Sequence, residues 1–172
     1  MPPIYISYRP TNADIVEQIV RRCFQTYGKH SVLMNPQDSL PSDMRLENHI
    51  DNMIHAASTV LLVAGRDWSG LDKFGRFKLS SADIPIQPEI KHALRSDKQV
   101  ILVLVDGASR PSPDILPDDL HGLYDIPAVQ LRPETFRRDL NALIHPPNIV
   151  DQLRYFFSLD WTQRHTRDNN PL

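Results

Sequence analysis

A doubly wound α/β domain, with five parallel strands and helices on both faces, is what this sequence predicts from three observations. Short β-prone runs alternate along the chain with segments whose apolar residues recur every three or four positions. The two most apolar runs, Thr59 to Ala64 and Val100 to Val105, fall in the middle of the order, as central parallel strands covered on both sides require. Fifteen prolines against six glycines punctuate the connections, stiffening them rather than loosening them.

Each element has its own justification. Ile4-Tyr5-Ile6-Ser7-Tyr8 is the first strand, and Pro10 stops it. A helix follows from Asn12, with Ile15, Val16, Ile19, Val20, Cys23, Phe24 and Tyr27 as its apolar stripe. Thr11 or Asn12 is its expected cap, Asp14 lies in its first turn and Gly28 ends it. Ser31 to Met34 is the second strand. Asn35 to Asp43, rich in Pro, Asp and Ser, is a loop, and Ser42 or Asp43 caps a helix carrying Met44, Ile50, Met53, Ile54 and Ala57. The third strand, Thr59 to Ala64, ends at Gly65, and an irregular stretch of about twenty residues leads to Ile86, long enough to be functional or mobile. A helix with Ile90, Ala93 and Leu94 precedes the fourth strand, Val100 to Val105. A Pro-rich loop to Leu116, a short helix from Pro117 to Tyr124 and a last strand, Ala128 to Leu131, come next. Pro133 then opens a helix with Phe136, Leu140, Leu143 and Ile144 on one face.

This order is that of a flavodoxin-like sheet, in which ligands bind beyond the carboxyl ends of the strands. The segments to inspect are therefore Tyr8 to Asn12, Asn35 to Asp43, Gly65 to Glu89 and Asp106 to Leu116. From Pro146 the pattern changes, so we divide the chain into a domain over 1–145 and a helical extension or linker over 146–172.

Composition excludes several functions. The 172 residues carry 19 Lys and Arg against 21 Asp and Glu, a net charge of −2, which offers no basic field for nucleic acid. The single cysteine, Cys23, permits no internal disulfide, and its place on an apolar helical stripe reads as a buried, inert thiol. No apolar run approaches the ~20 residues of a membrane-spanning helix, and Met1-Pro2-Pro3 does not open a signal peptide, so a cytoplasmic location is expected. Neither GxGxxG nor GxxxxGK[ST] can be drawn from the glycines, and the seven histidines contain no HExxH pair, so the expectation is no metal and no bound cofactor. A receiver domain of the same fold needs acidic residues where Ser7-Tyr8-Arg9 stand.

Four short motifs occur in order. Ile4-Tyr5-Ile6-Ser7-Tyr8-Arg9 resembles the first strand motif of Toll/interleukin-1 receptor (TIR) domains. Val32-Leu33-Met34 followed by Asp38-Ser39-Leu40-Pro41 is similar to the second strand and BB loop of bacterial members. Trp68 and then Glu89-Ile90-Lys91-His92-Ala93-Leu94 resemble a Trp-containing loop and the E-I-x-x-A-L helix. Val103-Leu104-Val105-Asp106-Gly107-Ala108, with Leu116-Pro117-Asp118-Asp119-Leu120, resembles a later stretch of the same family. Enzymatic members cleave the nicotinamide–ribose bond of NAD⁺, and the resemblance implies Glu89 as the catalytic residue and NAD⁺ as substrate rather than cofactor. It also implies self-association with other TIR domains, in defence or signalling. Ser42-Asp43 stand where the BB loop commonly has a glycine, and Pro85 stands where an active relative has Trp. Both departures favour the alternative, a non-enzymatic scaffold for TIR–TIR interaction.

The chemistry at Glu89 is coherent without the analogy. Nicotinamide leaves a cationic pyridinium as a neutral molecule, so no general acid is needed, and the demand is stabilisation of a ribosyl oxocarbenium ion. A carboxylate at ~4 Å in an effective dielectric of ~20 supplies about 4 kcal/mol, up to roughly a thousandfold in rate. Pro85 and Pro88 are tolerated where helix N–H groups have no partner, which sets Glu89 near a helix N-terminus, where the dipole favours its ionised form. An ordinary first-turn glutamate has the same spacing. For the substrate, Arg9 is a candidate for the pyrophosphate, Tyr8 and Trp68 for stacking, and Asp38 for ordering the loop or touching a ribose. The alternatives are a surface cation, packing aromatics and a turn-forming aspartate. His92 reads as a helix-surface residue rather than a base.

Overall fold

Alternating apolar segments this short can bury themselves only by sharing a sheet, and they do. In the computed structural model, which describes residues 3–34, 46–66, 68, 86–113 and 116–145, the strands are β1 (Ile4–Ser7), β2 (Val32–Met34), β3 (Thr59–Ala64), β4 (Gln99–Leu104) and β5 (Ala128–Gln130). They form one parallel sheet of order β2-β1-β3-β4-β5, with Ile4 to Ser7 aligned on Thr59 to Leu62 and β3 on β4 along its whole length. The order is that of the flavodoxin-like sheet, and its reversal of direction falls between β1 and β3.

Among the described residues, four helices cover the sheet: α1 (Ala13–Tyr27), α2 (Leu46–Ala56), α3 (Ile86–Arg95) and α4 (Phe136–Ile144). Strand alternation divides the core in two. Val60, Leu62 and Ala64 of β3 pack with Ile50, Ile54, Ile90 and Ala93 of α2 and α3. Leu61 and Val63 pack on the other side with Val16, Ile19 and Cys23 of α1 and Leu140 and Ile144 of α4. Both faces being buried explains why β3 and β4 read as continuous apolar runs. The ends of α1 and α4 are tied where the Tyr27 hydroxyl donates to the Ile144 carbonyl. Gly28 ends α1 at a φ of +92°, a conformation glycine adopts without strain.

Three local details differ from the sequence expectations. Asn12 stands at the N-cap of α1 without capping it, because its side chain is buried against Gly65. A Cβ at Gly65 would collide with the Asn12 amide, so the site takes only glycine while Asn12 stays where it is. The short helix after Pro117 is a 3-10 helix, Asp118–Tyr124, and a further 3-10 turn, Pro133–Thr135, precedes α4. Met44, the Ser42 or Asp43 cap and the extension over 146–172 lie outside the described residues. Among the described residues, no helix is long and apolar enough to cross a membrane.

Candidate active site

The carboxyl ends of β1, β3 and β4 and the first turn of α3 meet at one edge of the sheet. Glu89 is the fourth residue of α3, one after Pro88, so the missing proline N–H falls among donors that have no helical partner. Its side chain belongs to a residue only 6% exposed. The carboxylate lies close to the Tyr5 hydroxyl from the middle of β1, and its charge raises the phenol's pKa, adding to the larger effect of burial. Tyr5 is fully buried, and its hydroxyl makes no hydrogen bond of standard geometry. The phenol is therefore neutral and offers its proton toward Glu89.

Around this pair the edge is unusually polar for a buried place. Ser7 shares the Tyr5 face of β1 by alternation, and its hydroxyl is buried without a hydrogen-bond partner. The Asn12 side-chain oxygen is likewise buried and unpartnered. Arg9 is 5% exposed, and its carbonyl accepts from the Asn12 N–H at 2.8 Å, closing the 3-10 turn Pro10–Asn12. On the far side of β3, Val105 to Ala108 forms a tight turn closed by the Ala108 N–H on the Val105 carbonyl at 2.9 Å. Its central residues, Asp106 and Gly107, both have positive φ, which accounts for an Asp-Gly pair there. The Arg66 guanidinium donates to the Asp106 carbonyl and joins the β3 and β4 ends.

The sequence-derived candidates separate in space. Glu89 and Trp68 lie on the α2–α3 side, where Trp68 is 1% exposed and packs among Tyr5, Ala64, Ile90 and Leu104. The indole is thus part of the core, held by its backbone N–H on the Gly65 carbonyl at 3.0 Å, and not an open stacking wall. Tyr8 is half-buried against the α1–α4 cluster, on the opposite face from Glu89. Asp38 lies outside the described residues. His92 faces α2, with Nδ1 3.2 Å from an Asp51 carboxylate oxygen. Sequence reasoning passed over Tyr5 and Ser7 as site residues and read Asn12 as a helix cap within a segment to inspect. Two polar residues at alternate positions of a strand buried on both faces were the available signal.

Comparison with known proteins follows the same lines. A family model described as the TIR domain matches residues 4–144. No curated protein matches the chain. Among solved structures, the crystal structure of a prokaryotic SEFIR domain superposes with a TM-score of 0.53 at 13% identity, covering 84% of this chain and 96% of that one. At that identity the likeness is one of fold. The match across nearly all of the described residues, on the five-stranded parallel sheet set out above, means that this chain belongs to the TIR domain family.

Proposed function

We propose that this TIR domain hydrolyses the nicotinamide–ribosyl bond of NAD⁺, in a signalling or defence role, and becomes fully active on self-association. One observation carries the reading: Glu89 holds a buried carboxylate at the first turn of α3, against the carboxyl edge of the sheet. As the bond from ribose carbon to pyridinium nitrogen breaks, its electron pair neutralises the nitrogen and positive charge develops on the ribose. Glu89 opposes that charge, and Tyr5 orients the carboxylate. Water then adds to the ribosyl carbon and gives ADP-ribose; capture by a nucleophile of the substrate itself would give a cyclic product. Arg9 is the candidate for the pyrophosphate, Asp38 in the Asn35 to Asp43 loop is a candidate ribose contact, and Tyr8 follows β1 at the same edge. No cofactor is required by this chemistry.

The second reading is a TIR–TIR scaffold without catalysis. It draws support from Trp68, whose burial removes the aromatic wall that a nicotinamide ring would stack on. A single assay separates the two. NAD⁺ consumption with product analysis across a protein dilution series should show a specific rate that climbs with concentration and vanishes in Glu89→Gln. A rate of zero at every concentration leaves the scaffold, and a constant nonzero rate removes the assembly requirement.

A further inference from the structure

The side of the sheet opposite Glu89 carries a feature that NAD⁺ cleavage does not use. An open cleft of about 810 Å³ lies between α1 and the start of α4. Arg21 and Arg22 line it from α1 and Arg137 and Arg138 from α4, against one carboxylate, Glu134. The chain as a whole has a net charge of −2, so this cationic character is local. Gln18, the arginine pair and Gln25 recur at helical spacing on α1, and the acid of that helix that meets them is Glu17, beside Arg21.

The present partners of these arginines hold them weakly. Arg21 pairs with Glu17 at 2.8 Å, but both side chains are about 70% exposed, and such pairs contribute little. Arg138 approaches Asp139 at 3.5 Å, yet that carboxylate already accepts from Thr135 at 2.6 Å and from the backbone and side chain of Arg132 at 3.2 Å. Arg22 Nη2 lies 3.4 Å from His145 Nε2, and its Nε is buried without a hydrogen bond. Arg137 and Arg138 also occupy the first turn of α4, the positive end of the helix dipole, where acidic residues are the favourable choice. Cations placed against the dipole are costly to a bare surface. An anion in the cleft would be attracted by the guanidinium groups and the dipole together.

We propose that this cleft binds a small molecule bearing linked phosphate groups. The planar guanidinium fork matches a phosphate with two parallel hydrogen bonds, and four such forks exceed the need of a single phosphate. Inorganic polyphosphate and a nucleoside diphosphate share this chemistry. Titration calorimetry of the full chain with tripolyphosphate and with ADP, at low and high salt, tests it. Saturable, salt-sensitive binding is expected, weakened about tenfold or more in Arg137→Ala/Arg138→Ala, both exposed positions whose loss should not unfold the domain. Lysine at both positions should restore only part of the affinity, because it keeps the charge and loses the fork. Tighter binding of ADP identifies a nucleotide as the ligand, and the reverse order an inorganic anion. Binding of neither, or equal binding by the alanine variant, overturns the proposal. Glu89→Gln should bind as the wild type does; loss of binding there would place the ligand at the other site and overturn it equally.

Discussion

The first turns of α3 and α4 each bury a carboxylate, and the two are held in opposite ways. Asp139 of α4 is satisfied by its own neighbourhood: Thr135 donates at 2.6 Å and Arg132 through its backbone N–H and Nε at 3.2 Å. Burial by itself would raise the Asp139 pKa, but these hydrogen bonds and the Arg132 charge outweigh it and hold the carboxyl below its ordinary value. Glu89 of α3 instead lies against Tyr5 of β1, far from it in the sequence, on the strand beside which the strand order turns back. A carboxylate tied by a few residues on either side shapes the start of a helix. One brought against groups distant in the sequence owes its place to the closed sheet.

The comparison breaks most decisively at Glu89. Glu89→Gln should lower NAD⁺ turnover by about a hundredfold to a thousandfold with an unfolding midpoint near that of the wild type. A variant that turns over normally would make Glu89 as structural as Asp139. Next in size, Trp68→Ala should cost about 3–5 kcal/mol of stability, because the indole is a core side chain; denaturant unfolding measures it. The sequence offered Trp68 either as a stacking residue for the substrate or as a packing aromatic, and its burial favours packing.

Asp139→Asn should destabilise by about 2–3 kcal/mol while leaving any turnover intact. Its pH signature sharpens the contrast. The folded chain binds the Asp139 proton more weakly than the unfolded chain does, so the stabilisation is complete above the ordinary value of 3.8 and is lost as pH falls below it. Asp139→Asn should flatten that part of the acid limb in thermal melts. The smallest effect is expected of Tyr5→Phe: turnover lower by about tenfold and stability changed by less than about 1 kcal/mol, since the lost hydroxyl makes no standard hydrogen bond. An unchanged kcat in Tyr5→Phe would show that Tyr5 does not orient Glu89.

Local pattern was enough for the architecture. The three-and-four spacing from Ile15 to Tyr27, the uniformly apolar β3 and β4, and Gly28 after α1 each act through neighbours in the chain, and the helices and strands stand where those signals put them. The place of Glu89 in a first turn just after a tolerated proline was legible for the same reason, while the spacing reads equally as an ordinary first-turn glutamate. The sequence by itself thus determined the layers, the strand count and the helical position of Glu89. Tertiary structure alone decided which side chains meet. It put Tyr5 of β1 and Tyr8, just past the strand's end, on opposite faces of the sheet, sank Trp68 into the core, and turned Asn12 from a cap into the partner of Gly65. These outcomes depend on strand alternation and on the approach of segments far apart in sequence. A helical or strand period specifies a face, but which residue lies across from it is fixed only when the sheet closes around both.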